Sequence, residues 1–389
     1  MKKGRGALFI FGGGLLLIIL WSIHFVFNPL GLGPMAETVL PDSFFTHPAE
    51  DVFELELLVD GQEAFSAILN AIDTARETIH IQTFIWKDDH IGQLVASKLK
   101  AAADRGVKII LNKDALGTFF ELGDIFAGNP SPVLTSTGLK HRPNIQVNVN
   151  PFADTDHSKY FIVDKKSVIL GGMNIADEYH RKWHDYMVLF RTPQWAAAFE
   201  KKVLYGQPWP HEAPFFIAIN DSNAVEIRTA LIELIDRASQ SLIIEHAYFS
   251  TEKIITAVQR AIQRGVQVSI ILPETPDTHK YANQVTINKL LRNNSENPPK
   301  IFLFPDMMHA KVMLADGTIA AVGSANLTLR SMLTSREVTL FFHGQADHPF
   351  ISRLRGQLVV DILKSEAIKT PYKIDFSSSL KAKFDQHVW

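Results

Sequence analysis

The chain has 389 residues and not one cysteine. That absence removes disulfides, thiolate zinc sites, iron–sulfur clusters and cysteine nucleophiles together. It leaves the compartment open, because a cysteine-free chain suits reducing and oxidising surroundings equally. A surplus of either charge is missing too: 39 Lys+Arg stand against 41 Asp+Glu, a formal −2. Nucleic-acid binders usually carry a basic excess, and none exists globally, although a local basic groove stays open. Low-complexity bias is also absent. With 22 Gly, 19 Pro, 46% hydrophobic and 21% charged residues, the chain is not disordered, collagen-like or coiled-coil. The length corresponds to roughly two to three domains.

One stretch departs from these averages. Ala7 to Phe27 is a 21-residue run with no formal charge when His24 is neutral. At about 1.5 Å per residue, a helix of that length just crosses a ~30 Å hydrocarbon core. Gly12 to Gly14 weaken an aqueous helix, but membrane helices tolerate them. Lys2, Lys3 and Arg5 precede the run, and the next charge is Glu37. The positive-inside rule therefore predicts a short cytoplasmic N-terminus (1–6), an anchor (7–27) and an exported remainder. This places the protein in the inner membrane as a single-pass chain, with its catalytic part on the exoplasmic, periplasmic side. The rival is a cleaved signal peptide, whose apolar core normally has ~7–15 residues and ends at a small-x-small site. Asn28-Pro29-Leu30-Gly31-Leu32-Gly33-Pro34 offers no good site of that kind. A buried soluble helix is the third reading.

Residues 28–50 are punctuated by Pro and Gly and read as a tether. From Asp51, α/β signals begin. Helical spacing covers Gln62 to Arg76, strand character Ile79 to Trp86, helix Ile91 to Arg105, and strand Val107 to Leu111, with Gly106 as the cap. The same order returns later: helix Val225 to Ala238, strand Ser241 to Phe249, helix Glu252 to Arg264, Gly265, then strand Val266 to Leu272. AADRGVKIILNKD echoes AIQRGVQVSIILPET. Between the copies, Gly206 to Pro214 holds three prolines and reads as a linker. The expectation is two halves, 51–205 and 215–389 with a C-terminal tail, duplicated and packed about a pseudo-twofold axis.

The strongest signal recurs at one place in each half. His157-Ser-Lys159-Tyr-Phe-Ile-Val-Asp164 is followed by Gly171-Gly172-Met173-Asn174 and then Asp185. His309-Ala-Lys311-Val-Met-Leu-Ala-Asp316 is followed by Gly323-Ser324-Ala325-Asn326 and then Glu337. Every pair is 152 residues apart. A lone motif carries the usual risk of chance, but a constellation repeated at one fixed offset does not.

The spacing has a physical meaning. On a strand, residues i and i+2 share a face, so each His stands beside its Lys. Asp164 and Asp316, seven residues on, fall on the other face or in the turn and are expected to serve the fold more than the reaction. Asn174 and Asn326 can return beside the lysines. Asp185 and Glu337 can each accept a hydrogen bond from a His Nδ1, fixing the tautomer and leaving Nε2 reactive. Two His, two Lys and two Asn make a cationic, donor-rich hole suited to a phosphodiester. One His attacks phosphorus and becomes a phosphohistidine. The other protonates the leaving alcohol and then deprotonates the incoming water or alcohol. Neither a cofactor nor a metal is required.

The paired HxKxxxxD motifs with their Gly-x-x-Asn partners resemble the phospholipase D superfamily, the HKD enzymes, over roughly Asp51 to Lys364. The resemblance implies an α/β fold class: a duplicated phospholipase D-like domain with a pseudo-twofold and one shared active site, here preceded by a single N-terminal transmembrane helix. It groups His157, Lys159, Asp164, Asn174 and Asp185 with His309, Lys311, Asp316, Asn326 and Glu337 as site residues. In the family the first-half His, here His157, is often the nucleophile. GSANLTLRS and the N-terminal apolar run are similar to bacterial cardiolipin synthases and their phospholipase D-like relatives. Departures are Ser158 where the synthases commonly have Arg, Lys165 where Gly commonly follows the motif Asp, and one span in place of two or none.

Other residues admit two readings. His180 and His184, four apart, could share a helix face as metal ligands, but no HExxH pattern or Cys accompanies them, so no metal is assigned. His246, at a strand end, and Ser324 are candidate substrate contacts. Phe119, Phe120, Leu122, Ile125 and Phe126 are ordinary core or an acyl-chain surface near the site mouth. The leading function is a membrane-tethered phosphatidyltransferase or phospholipase with a phospholipid substrate. The alternatives are an exported HKD-type nuclease acting on DNA or RNA, and a non-catalytic scaffold. Beyond Gly6, 36 Lys+Arg face 41 Asp+Glu, a formal −5, which disfavours nucleic acid because phosphate neutralisation dominates such binding.

Overall fold

A computed structural model of the chain describes residues 39–49, 54–120, 139, 142–150, 154–292 and 297–388. The span Ala7–Phe27 and the tether up to residue 38 lie outside the described residues. So do Leu122, Ile125 and Phe126 and the side chains of Phe119 and Phe120. Among the described residues no helix is long and apolar enough to cross a membrane.

The described end of the tether holds a short helix, α1 (Asp42–Thr46), and it is docked. Glu233 accepts hydrogen bonds from the Val39 and Leu40 amides at 3.2 and 3.0 Å, and Ala49 N donates to His343 O at 2.7 Å. The first copy then runs β1 (Leu55–Val59), α2 (Asp60–Thr74), β2 (Thr78–Thr83), α3 (His90–Asp104), β3 (Lys108–Asp114), α4 (Ala115–Phe120) and β4 (Ile145–Asn150). It continues through β5 (Tyr160–Val163), β6 (Ser167–Gly171), α5 (Asp177–Arg181), β7 (Tyr186–Phe190) and α6 (Pro193–Tyr205). The second copy repeats the order as β8 (Phe216–Asn220), α7 (Glu226–Arg237), β9 (Ser241–His246), α8 (Glu252–Gln263), β10 (Gln267–Pro273), α9 (Lys280–Leu291) and β11 (Lys300–Phe304). Then come β12 (Lys311–Ala315), β13 (Ile319–Gly323), α10 (Leu329–Leu333), β14 (Glu337–His343) and α11 (Pro349–Lys364), with β15 (Glu366–Ile368) and α12 (Phe376–Val388) added at the end.

Strand order proves the duplication. One sheet reads β1-β7-β6-β5-β2-β3-β4, and the other reads β8-β14-β13-β12-β9-β10-β11 with β15 at its edge. In each, the strands joined through helices (β2, β3 and β4; β9, β10 and β11) are parallel, because a crossover returns the chain in the same direction. The strands joined by the hairpin turns (β5 and β6; β12 and β13) are antiparallel. The two sheets face each other across a core that mixes both copies, with Leu57, Ile162 and Val188 against Ile217, Val312 and Leu340. Two outer cores sit under the helices on either side.

Local chemistry sets the boundaries. Helix α2 starts at Asp60, two residues before the apolar spacing suggests, because the Glu63 carboxylate accepts the Val59 amide at 2.8 Å and closes the first turn. Strand β2 stops at Thr83 rather than Trp86. The chain there leaves the sheet: the Ile85 amide turns to Asn174 Oδ1 and Trp86 bridges to Ile175. Likewise β9 ends at His246, and Phe249 bridges to Leu327. The segment between the copies is packed down, with Trp209 buried and its Nε1 donating to Phe215 O at 2.6 Å.

Candidate active site

The two histidines meet at the seam because each copy lays its motif against the other. His157 N donates to Arg336 O and Arg336 N to Thr155 O, both at 2.8 Å. In the symmetric place, His309 N donates to His184 O at 2.7 Å and His184 N to Met307 O at 3.3 Å. Each motif strand therefore runs beside the residue that precedes the other copy's acid. The acids are exchanged as a result. His157 Nδ1 lies 2.9 and 3.1 Å from the two Glu337 oxygens, and His309 Nδ1 lies 2.8 Å from Asp185 Oδ2. Each Nδ1–H donates to a carboxylate, so each Nε2 keeps its lone pair.

The lysines stand two residues on. Lys159 Nζ donates to His157 O at 2.5 Å and sits 5.4 Å over the Phe84 ring. Lys311 Nζ donates to His309 O and is also 2.7 Å from His309 Nδ1. Nδ1 holds its proton for Asp185, so that second contact places a cation beside the ring and is not a hydrogen bond. Burial is the main cause of every shifted pKa here. It brings Lys159 down to about 7 and Lys311 down to about 8, against the pull of Glu337 and Asp185. It lifts Asp185 to about 7, which Lys311 opposes. His157 is lowered, and His309 lies well below the usual range because burial is joined by Lys311, Lys159 and His157. The site holds cations in a place that penalises them, as a bound anion would require.

The acids are held differently in the two copies. Ser324 Oγ and Ser331 Oγ donate to Glu337 at 2.6 and 2.7 Å. The position equivalent to Ser324 is Gly172, where a Cβ would lie 2.4 Å from Asp185 Oδ1. Only glycine leaves that carboxylate its place, and its fixed donor is the Tyr186 amide at 2.8 Å.

Not every residue grouped by the motif reaches the histidines. Asp164 and Asp316 lie at the other end of β5 and β12, in left-handed turn positions (φ 52° and 50°). Asp164 accepts the amides of Arg76, Glu77 and Thr78 at 2.7–2.9 Å, and Asp316 those of Ser239, Gln240 and Ser241 at 2.8–3.2 Å. They clip the hairpin to the start of the neighbouring strand, which is work for the fold. Asn174 is also committed elsewhere, its Oδ1 to the Ile85 amide (3.0 Å) and its Nδ2 to Tyr179 Oη (2.8 Å). It shapes the wall and keeps one amide N–H outside these two bonds. Asn326 is buried with Oδ1 unpartnered. His246 pairs in register with Lys311 and is buried with Nδ1 unpartnered. His180 and His184 do not share a helix face. The helix ends at Arg181, and the two rings join separate clusters.

The aromatic wall is what motif reading missed. Phe84 packs edge-on against His157 at 4.8 Å. Tyr179, Trp183 and Tyr248 surround His309 at 5.0, 5.8 and 6.3 Å, and His279 stacks on Tyr248 at 4.5 Å. Ser331, which holds Glu337, was missed too. A signal existed. Gln82 and Glu245 pair in register with the equivalent motif residues Tyr160 and Val312 but are 163 residues apart, and Gly106 and Gly265 are 159 apart. The repeat offset drifts before it reaches 152.

Fold and site together define a duplicated α/β enzyme with a single phosphodiester-transfer centre at the seam of its copies. The family model described as "Cardiolipin synthase, PLD-like domain" matches residues 68–204 and 231–358, and the chain belongs to that family, within the phospholipase D superfamily. Among curated relatives, it is 27% identical over 369 residues to a cardiolipin synthase of Listeria monocytogenes serotype 4a (strain HCC23), covering 86% of this chain and 74% of that one. It is 27% identical over 329 residues to the cardiolipin synthase of Clostridium perfringens (strain 13 / Type A), covering 75% and 67%. Two solved structures share the fold. One is the phosphatidylserine synthase of Haemophilus influenzae Rd KW20 (TM-score 0.65, 12% identity, 86% of this chain and 95% of that one). The other is the polyphosphate kinase of Porphyromonas gingivalis (TM-score 0.57, 14% identity, 85% and 55%).

Proposed function

We propose that the protein is a membrane-anchored phosphatidyltransferase that moves a phosphatidyl group from one glycerophospholipid to a hydroxyl acceptor, as in cardiolipin synthesis, or to water. The observation that carries this reading is the exchanged pair of imidazole–carboxylate hydrogen bonds, which leaves two Nε2 atoms free beside two buried lysines. His157 Nε2 attacks phosphorus, the bond to the leaving alkoxide breaks, and His309, which takes up a proton at Nε2 when the substrate anion binds, gives that oxygen this proton. The acceptor hydroxyl then loses its proton to His309 and displaces His157 from the phosphohistidine. The substrate anion helps. By offsetting Lys159 and Lys311 it restores the proton affinity of His309 that those cations depress.

Two features favour lipid over nucleic acid. The chain beyond Gly6 is acidic, at −5. Helix α12 turns Phe376, Leu380 and Phe384 to solvent at 86%, 61% and 58% exposure, a stripe spaced four apart as in interfacial helices. The helix packs on α9 and α10, next to the His279–Tyr248 wall of the site. The proposed inner-membrane placement, with the site on the exoplasmic side, rests on Ala7–Phe27 and its flanking charges. A tethered site meets its lipid substrate at high effective concentration.

The test gives detergent-solubilised enzyme labelled phosphatidylglycerol and single-stranded DNA in parallel, with a short alcohol added. Headgroup exchange supports a transferase, and phosphatidic acid alone a hydrolase. Cut DNA with intact lipid refutes the proposal in favour of a nuclease. His157→Ala and His309→Ala should each abolish turnover, and turnover surviving either sinks the shared-site mechanism.

A further inference from the structure

One residue before Asp185, His184 joins a second polar cluster that the reaction does not use. His184 Nδ1 is 2.6 Å from Asp60 Oδ1, which orients the ring and aims Nε2 inward. That Nε2 lies 3.0 Å from Tyr186 Oη, 3.2 Å from Asp361 Oδ2 and 3.3 Å from Glu245 Oε1. Tyr186 Oη is also 3.1 Å from Glu245 Oε2 and 3.0 Å from Asp361 Oδ2. All four side chains are buried, Glu245 and Asp361 completely. Asp361 takes a hydrogen bond from Gln357, whereas Glu245 Oε1 makes no well-formed hydrogen bond and has only the His184 ring 3.3 Å away. Burial opposes charge on the His184 ring, but Asp361, Asp60 and Glu245 hold its pKa well above the usual imidazole range, so a cation bound at this centre replaces the proton on Nε2. Buried charge of this kind is costly.

The internal repeat sharpens the point. His184 and Arg336 occupy the same place, 152 residues apart, and each leads into its copy's acid. In one copy the position carries its own permanent cation; in the other it carries an imidazole facing carboxylates. We infer that His184, Glu245 and Asp361, completed by the Tyr186 oxygen, bind a divalent cation of the zinc class. Donor type fits, since nitrogen and carboxylate oxygen suit zinc, and so does the Asp60 carboxylate holding the far side of the ring. The edges from Nε2 fit as well: metal–ligand bonds of about 2.0–2.1 Å give tetrahedral edges of about 3.3–3.4 Å, against the 3.2 and 3.3 Å seen from Nε2, while the Tyr186 oxygen, at 3.0–3.1 Å from the other three, has to move outward to join them.

The cation is structural. It ties His184 of the first copy to β9 and α11 of the second, one residue from Asp185 and one from His246, and it touches no reacting atom. A second cluster, His90, Asp177 and His180, is unsuited, because Arg181 Nη2 already stands 3.1 Å from His90 Nδ1.

The test uses untagged full-length protein in detergent, loaded with Zn²⁺, dialysed, and measured for metal by elemental analysis and for its melting midpoint. About one equivalent per chain is expected, with a midpoint that falls on chelation and recovers with Zn²⁺. Glu245→Gln and Asp361→Asn should each cut bound zinc at least about tenfold and abolish the Zn²⁺-dependent shift. His180→Ala, in the other cluster, should keep both. Wild-type protein retaining less than about a tenth of an equivalent, with no zinc-dependent shift, overturns the inference whatever the variants do. So does either cluster variant that keeps its zinc.

Discussion

Asp185→Asn should cripple the enzyme far more than Glu337→Gln, although the two acids hold equivalent histidines. The reason lies in what else each carboxylate touches. Asp185 Oδ1 accepts the Tyr186 amide at 2.8 Å, and Oδ2 accepts His309 Nδ1–H at 2.8 Å. A backbone amide can only donate, so in the variant the carboxamide oxygen must stay on Tyr186. Its NH₂ then faces His309. Two N–H groups cannot share that contact, so the imidazole moves its proton to Nε2 and loses the lone pair that must take the acceptor's proton in the second step. Wrong-tautomer losses of this kind run to about 10⁴-fold in the Ser-His-Asp hydrolases, about 5.4 kcal/mol of transition-state stabilisation.

Glu337 is held by hydroxyls at 2.6 and 2.7 Å, and a hydroxyl can rotate to accept. A glutamine there can keep its oxygen on His157 and its NH₂ on a serine. The expected loss is about tenfold to a hundredfold, from the missing charge opposite the phosphoimidazolium. The assay is kcat/KM for phosphatidyl transfer in mixed micelles, with melting midpoints to confirm that both variants fold. Glu337→Gln falling as far as Asp185→Asn, or Asp185→Asn staying within about tenfold of wild type, would refute the tautomer argument.

Three further outcomes follow from the same geometry. The pH profile of kcat/KM should be a narrow bell. Below about 7 Asp185 takes a proton and releases His309, and above about 7 to 8 Lys159 and then Lys311 lose the charge that receives the phosphate; a flat profile across that range would remove these groups from catalysis. Gly172→Ala puts a Cβ 2.4 Å from Asp185 Oδ1, so it should cost about 1–3 kcal/mol in stability and about 10² in turnover, read by denaturation and the transfer assay. Lys165 sits in the left-handed region (φ 54°), where glycine is unstrained. Lys165→Gly should stabilise the protein by about 0.5–1 kcal/mol in urea denaturation, with activity unchanged.

Much of this was legible in the sequence, for identifiable reasons. His157, Lys159, His309 and Lys311 were readable because a strand's period of two places each pair on one face, and the fixed offset vouches for both. The helices closed by Gly106 and Gly265 were readable because φ values of 95° and 89° need glycine. What escaped was contact between distant segments. The spacing says that an acid can reach a His, but not that the acid comes from the other copy. That exchange depends on how Thr155 to His157 docks against Arg336. The bond from Asn174 to the chain at Ile85 escaped too, because a side-chain amide satisfies a backbone as readily as a phosphate. The wall of Phe84, Tyr179, Trp183 and Tyr248 escaped because aromatic side chains beside strands read as core.

The exchange of acids also explains why the seam is built as heavily as it is. Neither copy holds an oriented histidine by itself: His157 depends on Glu337, and His309 on Asp185, so a small slip between the sheets would break both hydrogen bonds at once. The central apolar core draws on both sheets and on α6 and α11, the buried Trp209 pins the connection between the copies, and the docked Val39–Ala49 segment braces the outer side of the second. Such packing resists sliding because close-packed interiors deform little. The two environments nevertheless differ where the reaction is asymmetric. Glu337 rests on two hydroxyls, and Asp185 on a backbone amide and a missing side chain at Gly172. A duplicated fold supplies two like imidazoles, and substitutions around them let one attack phosphorus while the other handles the proton.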